Sequence, residues 1–142
     1  MFELSPAQAE SLAAARVGHL ATASADGLPH VIPVCYALHG PAIYSVLDQK
    51  PKRTSLTRLR RVRNIQANSQ VALVVDHYDE DWGRLWYILL TGHAELLLNG
   101  AERSEAIDVL RQKYRQYREM PIDPNPVIKI TPTSVVSWDA SA

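Results

Sequence analysis

Residues 17–38 contain two alternating segments on either side of a tight-turn signal, and this pattern most constrains the fold of the chain. Residues 17–23 alternate in the manner of a half-buried strand. Asp26 and Gly27 tolerate the positive φ angles of hairpin turns, so we expect the chain to reverse there. The returning segment, residues 30–38, alternates again, but Pro33 cannot donate a hydrogen bond to a sheet. We predict a β-hairpin in which Pro33 lies at an edge, at a bulge or beside something other than a strand.

The remaining segments favour strands over helices. Further strands are expected at residues 42–47, 70–76, 85–97 and 127–138, and helices near residues 5–16, 54–68 and 99–118. Ser5 and Gln8 have the spacing of a capping box at the start of the first helix. Asn99 and Glu102 resemble a cap and its partner at the start of the last helix. Six strands joined mostly by short turns indicate a small antiparallel barrel.

Length and composition restrict the class of protein. The 142 residues fit a single domain, residues 1–142. Fifteen Lys and Arg balance fifteen Asp and Glu, so net charge does not indicate a nucleic-acid or membrane partner. The uncharged residues 27–47 contain three prolines, which favours strands and a turn over a membrane helix. Residues 1–9 lack the positive start of a signal peptide, and Cys35 is the single cysteine, so we expect a cytoplasmic protein.

Basic residues are concentrated in one segment. Between positions 49 and 75 there are seven Lys and Arg residues and no acid. Like charges on one helix repel each other, and a bound anion would relieve that repulsion. Arginine and helix N-termini are well suited to phosphate. We therefore predict an anionic ligand here, with a solvated helix face as the alternative.

Motifs for catalysis or metal binding are scarce. The five histidines show no metal-binding spacing, and Cys35 lies in an apolar segment typical of a packed residue. Asp79 and Asp81 resemble the start of a calcium loop, but Leu90 stands where its final acid belongs. We expect no metal site, and a solvated connection or pocket lip at residues 76–81. If the protein is an enzyme, a bound cofactor supplies the chemistry.

The hairpin sequence, Val-Gly-His-Leu-Ala-Thr-Ala-Ser-Ala-Asp-Gly-Leu-Pro-His-Val-Ile-Pro-Val, resembles that of the pyridoxamine 5′-phosphate oxidase-like split β-barrel flavoproteins. Residues 50–54, 59–65 and 75–78 resemble the actinobacterial branch of that superfamily, which uses the deazaflavin coenzyme F-420. The resemblance implies a mainly β protein with helices (α+β), a six-stranded antiparallel split β-barrel. It also implies a homodimer with cofactor sites at the subunit interface. Trp82, Trp86 or Tyr87 of the second subunit would cover the ring.

The resemblance also implies a set of cofactor-binding residues. The ring would lie against the second strand and the ribityl chain against the next one, while basic residues would hold the phosphate. The polyglutamate tail of coenzyme F-420 would account for the surplus arginines. These residues are Val31, Ile32, Pro33 and Val34 at the ring, Ser45 and Val46 at the ribityl chain, and Lys50, Lys52, Arg53, Arg58, Arg61 and Asn64 at the phosphate.

The implied activity is that of an oxidoreductase in which coenzyme F-420 transfers a hydride to an unsaturated small molecule, at a C=C or C=N bond. The alternative is an FMN-binding reductase or carrier on the same fold. Vitamin B6 oxidation is disfavoured, because the oxidases of that vitamin carry a C-terminal arginine motif and this chain has no arginine after Arg118. No catalytic residue is assigned. Tyr36 and His77 are weak candidates for a proton donor, and a structural role is favoured for each.

A nucleic-acid binder that uses residues 50–63 is a further hypothesis from a different class. It is disfavoured because aromatic residues, which would stack on bases, are not interleaved with the basic ones.

Overall fold

A computed structural model describes residues 2–48 and 55–141. Within these residues one antiparallel sheet has seven strands in the order β2-β1-β5-β6-β7-β4-β3. The strands are β1 (Gly18–Ala23), β2 (Pro29–Val34), β3 (Ala37–His39), β4 (Ala42–Val46), β5 (Gln70–His77), β6 (Trp86–Leu97) and β7 (Val127–Asp139). The helices are α1 (Pro6–Ala14), α2 (Arg60–Ala67) and α3 (Ala101–Lys113), with short 3-10 turns at Leu56–Arg58, Trp82–Arg84 and Arg115–Arg118.

The sheet curls into a half-barrel, which confirms the predicted split-barrel fold. Its core contains Leu20, Leu73, Leu90 and Ile130 from four different strands, together with Leu12 of α1. A second core lies beneath α3, where helical residues pack on β4 and β7. None of the helices in the described residues is long and apolar enough to cross a membrane.

The predicted number of six strands is wrong, because the segment 30–38 forms two strands instead of one. Tyr36, between β2 and β3, is completely buried. Its backbone N–H donates to the hydroxyl of Tyr114 at 3.0 Å, and its own hydroxyl donates to the carbonyl of Leu12 at 2.6 Å. Because the backbone of Tyr36 bonds a side chain instead of a strand, the ladder is interrupted there.

Two helix predictions also need correction. The helix predicted from residue 54 begins at Arg60, because Leu59 has an extended backbone that follows the first 3-10 turn. The last helix begins after Gly100, whose φ of 93° is in the left-handed region. No side chain caps this helix, so the prediction of Asn99 as its cap is wrong. That helix ends at Lys113, since Tyr114 is extended.

Other local predictions are confirmed. Ser5 and Gln8 form the capping box, with hydrogen bonds of 2.9 and 3.1 Å in the two directions. Pro33 lies on an edge strand, since β2 has β1 as its only strand neighbour among the described residues. The other side of β2 pairs with no strand of the described residues.

Candidate functional site

A cavity of about 150 Å³ lies at the open seam of the half-barrel, and we call it the seam cavity. The end of β2 forms one wall, and β4 with the residues that follow it forms the other. It is lined by Val17, Pro33, Val34, Cys35, Ser45, Val46, Asp48 and Arg61. Five of the predicted cofactor-binding residues therefore meet in one place, although they come from three separate parts of the chain.

Helix α2 supplies a cation to the seam cavity. Its buried positions are Arg61, Val62, Asn64 and Ile65, which fall on one face at helical spacing. Arg61 is only 6% exposed. Burial lowers the pKa of its guanidinium, and the negative charge of Asp48 opposes that shift. A buried arginine held in this way presents fixed donors to an anion.

Asn64 is placed differently from Arg61. Its side-chain amide donates to the hydroxyl of Thr22 on β1 at 2.9 Å, in a buried contact. That bond ties α2 to the sheet, and Asn64 does not line the seam cavity. In this structure Asn64 therefore orients the helix that carries Arg61.

The predicted residues of β2 do not all face one way, because successive side chains of a strand point to opposite faces. Val31 is 63% exposed on the outer face of the sheet. Ile32 packs against the barrel core from the inner face. Pro33 and Val34, at the end of the strand, are the two that reach the seam cavity.

The other predicted basic residues lie outside the seam cavity or outside the described residues. Arg58 is exposed on the 3-10 turn before α2, and Arg60 and Arg63 are exposed on α2 itself. Lys50, Lys52 and Arg53 fall outside the described residues. The role of all these residues in binding stays a prediction.

Sequence reasoning missed an acid in the cavity wall. The hydroxyl of Tyr117 donates to Oδ2 of Asp48 at 2.5 Å, although 69 positions separate the two residues. Burial and the Asp48 carboxylate both raise the pKa of the Tyr117 hydroxyl above its usual range. The backbone beside Asp48 is also fixed. The N–H of Leu47 donates to the carbonyl of Pro126 at 3.0 Å, and the carbonyl of Leu47 accepts from the side-chain amide of Asn125 at 2.7 Å. No local sequence pattern predicts these contacts, since the partners of Leu47 and Asp48 all come from the distant α3–β7 connection.

The two candidate proton donors are placed away from the seam cavity. Tyr36 is a core residue whose hydroxyl is bonded to Leu12, and burial raises its pKa. His77 ends β5, where its ring stacks on Trp86 at a centroid distance of 6.4 Å. Neither residue lines the cavity, which is consistent with structural roles for both.

The outer face of the sheet carries a mainly apolar row that crosses five strands. The row consists of the cross-strand neighbours Pro33, His19, Val74, Leu89 and Val136, of which only His19 is polar. Beside it Tyr87 stacks on Trp138 at 6.4 Å, and both rings are partly exposed. Pro33 belongs both to this row and to the seam cavity, so the two features are continuous.

A second and wider groove, of about 550 Å³, lies on the same outer face near the hairpin turn. Small side chains such as Ala21, Ala23 and Ala72 form its floor, with Thr91 and His93 at one side. Among the described residues no cluster of three or more His, Cys, Asp or Glu side chains is placed to hold a metal ion.

The curled antiparallel sheet with its three helices places the protein in the class of split barrels. The sequence profile described as pyridoxamine 5′-phosphate oxidase matches residues 7–140, and the chain belongs to that family. No curated protein matches the sequence.

Solved structures share the fold at low sequence identity. A conserved hypothetical protein from Mycobacterium tuberculosis is 18% identical, with a TM-score of 0.78 over 97% of this chain and 86% of that one. An F420 reductase is 23% identical, with a TM-score of 0.68 over 94% of this chain and 98% of that one. HutZ, the heme storage protein from Vibrio cholerae, is 13% identical, with a TM-score of 0.73 over 99% of this chain and 100% of that one. These likenesses establish the fold, which serves different ligands in different proteins.

Proposed function

We propose that this protein is an oxidoreductase that binds coenzyme F-420 and transfers a hydride to a C=C or C=N bond of a small molecule. The observation that carries the proposal is the seam cavity, in which β2, β4 and a buried arginine of α2 converge. The position agrees with the resemblance, which places the ring at the second strand and the phosphate at the basic segment. The F420 reductase of the same fold supports the choice of cofactor.

The residues of the chain would bind and shield the cofactor, and the deazaflavin would supply the hydride chemistry. Arg61 would pair with the phosphate, since this buried arginine lines the cavity. Pro33 and Val34 would pack on the ligand from β2, and Ser45 and Val46 from β4.

The distribution of charge supports a ligand with more than one anionic group. Arg58, Arg60 and Arg63 are exposed, and they follow closely in sequence after Lys50, Lys52 and Arg53. A single phosphate needs two or three basic groups for bidentate contact. The remaining cations would pair with the carboxylates of the polyglutamate tail.

The same geometry supports a homodimer. Ligand pockets for drug-sized molecules occupy about 300–1,000 Å³. The seam cavity holds only about 150 Å³, so one subunit encloses part of a deazaflavin and leaves the ring at the outer face. A second copy on the outer face would cover both the ring and the apolar row. Trp82, which is 69% exposed, and Tyr87 remain candidates for the covering residues.

The alternative is an FMN-dependent reductase on the same fold. The family profile that matches the chain favours it, because it is that of a pyridoxamine 5′-phosphate oxidase. Both proposals use the seam cavity, and they differ in the anionic groups that the ligand carries.

Parallel fluorescence titrations with coenzyme F-420 and with FMN test the proposal. We expect coenzyme F-420 to bind more tightly, and reduced coenzyme F-420 to be reoxidised by a panel of C=C and C=N acceptors only when the protein is present. Tighter binding of FMN would decide for the alternative. Binding of neither cofactor would overturn both.

A further inference from the structure

The seam cavity contains an acid where an anion is expected to bind. Asp48 lines the cavity together with Arg61, and its carboxylate partly offsets the positive charge of the guanidinium. An arginine without a neighbouring acid would attract a phosphate more strongly than Arg61 does beside Asp48. The acid therefore reduces the net charge that this cavity offers to a ligand.

The position of Asp48 is fixed from two sides. Its carboxylate accepts the hydroxyl of Tyr117, a residue that is 3% exposed. Its backbone follows Leu47, which the α3–β7 connection holds through two hydrogen bonds. Because the carboxylate is anchored in this way, it cannot easily turn out to solvent when a ligand enters.

We propose that Asp48 is a specificity-determining residue that selects a singly charged phosphodiester over a doubly charged phosphate monoester. This inference rests on the proposed function. A diester carries one negative charge, and a monoester carries nearly two at neutral pH. A monoester bound in the seam cavity would therefore be repelled more strongly by the Asp48 carboxylate than a diester bound there. Like charges in a partly buried site repel more strongly than in water.

A purely structural role for Asp48 makes a different prediction. If the carboxylate only stabilises the buried Arg61, its removal would lower stability and weaken both kinds of ligand together. If the carboxylate selects between the two kinds of ligand, its removal would change the ratio of the monoester affinity to the diester affinity. The ratio is thus the informative readout.

The experiment compares the dissociation constants of FMN, a monoester, and coenzyme F-420, a diester, in wild type and Asp48→Asn. Asparagine keeps an oxygen that can accept the Tyr117 hydrogen bond and loses the charge. We expect FMN binding to tighten at least about tenfold, equivalent to about 1.4 kcal/mol, and coenzyme F-420 binding to change by less than about threefold. Riboflavin, which has no phosphate, should show no change.

Two matched variants complete the design. Tyr117→Phe removes the hydrogen bond and keeps the charge, so it should change the ratio of FMN to coenzyme F-420 affinities less than Asp48→Asn does. Asp108→Asn removes an exposed acid of α3 and should change neither affinity. Asp48→Ser replaces the asparagine variant if that variant does not fold.

An equal change in both affinities, or no change, would overturn the selective role of Asp48 and leave the proposed function intact. Failure of the wild-type protein to bind coenzyme F-420 would instead overturn the proposed function, and this inference with it.

Discussion

At the scale of single residues, the resemblance predicted the cavity wall better than the charges did. Pro33, Val34, Ser45 and Val46 were implied by the family resemblance, and they meet in the seam cavity. Of the basic residues, α2 buries only Arg61, because its i, i+1, i+3 and i+4 positions face the barrel. Asp48 was not predicted, since its hydrogen-bond partner lies 69 positions away.

Arg61→Ala should weaken the binding of coenzyme F-420 by about 1–3 kcal/mol, the scale of a lost charge-assisted hydrogen bond. We expect a similar loss for Lys52→Ala on the basis of the sequence. Fluorescence titration measures both. Arg115→Ala is the control, because this exposed arginine on the 3-10 turn after α3 does not line the cavity. Unchanged affinity in both test variants would place the anion site elsewhere.

Gly92→Ala should destabilise the fold by about 1–3 kcal/mol, as overpacking of a core does. Gly92 lies at a bulge between β6 and β7, and an added Cβ would fall 2.2 Å from the carbonyl oxygen of Thr131. Urea unfolding measures the loss. Gly83→Ala is the control, since its Cβ would meet only Asp81 at 3.2 Å. Equal stability of the two variants would contradict the tight contact at the bulge.

At the scale of elements, the sequence predicted most strands to within one or two residues. Strands β5, β6 and β7 are long and strongly patterned, so local periodicity was sufficient for them. It failed at Tyr36, because the alternation of residues 30–38 continues through the break. The cause of the break is the hydroxyl of Tyr114, which lies 78 positions away. Periodicity carries no information about such a partner.

Tyr114→Phe should therefore lower the free energy of unfolding by about 1–3 kcal/mol, the cost of leaving a buried donor without its acceptor. The lost hydroxyl accepts from the N–H of Tyr36 and donates to the carbonyl of Arg16 at 2.8 Å. Tyr78→Phe, at a site that is 65% exposed, should have a much smaller effect in the same urea experiment. A loss at Tyr114 no larger than that at Tyr78 would contradict this account of the strand break.

The α3–β7 connection is held by a second long-range contact with a defined pH dependence. Arg111 donates to both carboxylate oxygens of Asp123, at 2.7 and 3.1 Å, and this bonding lowers the pKa of that carboxyl. The stability it contributes is present above the usual aspartate range and is lost as pH falls through the lowered pKa. Asp123→Asn should thus be less stable than wild type at neutral pH.

Urea unfolding of wild type and Asp123→Asn over a series of pH values tests this. The difference should shrink as the solution is acidified below the ordinary aspartate pKa of 3.8. A difference that is constant with pH would show that the ion pair does not contribute in this way.

At the scale of the whole molecule, the continuity of the outer face with the seam cavity links assembly to binding. Val136→Asp would place a charge on this face, where Val136 is 55% exposed, and should shift the proposed dimer to monomer. Leu98→Asp changes an equally exposed residue beyond the end of β6 and should leave the dimer intact. Sedimentation measures both, and cofactor affinity should fall with the dimer. A stable wild-type monomer of 15.8 kDa with full cofactor affinity would contradict the proposal.

The response of affinity to the length of the polyglutamate tail tests the proposed cofactor most directly. The exposed Arg60 and Arg63 should meet the tail carboxylates, so affinity should rise with added glutamates and fall with salt. Arg60→Glu or Arg63→Glu should reduce this dependence more than they reduce binding of a tailless analogue. Tighter binding of FMN, with no response to tail length, would contradict the assignment of coenzyme F-420.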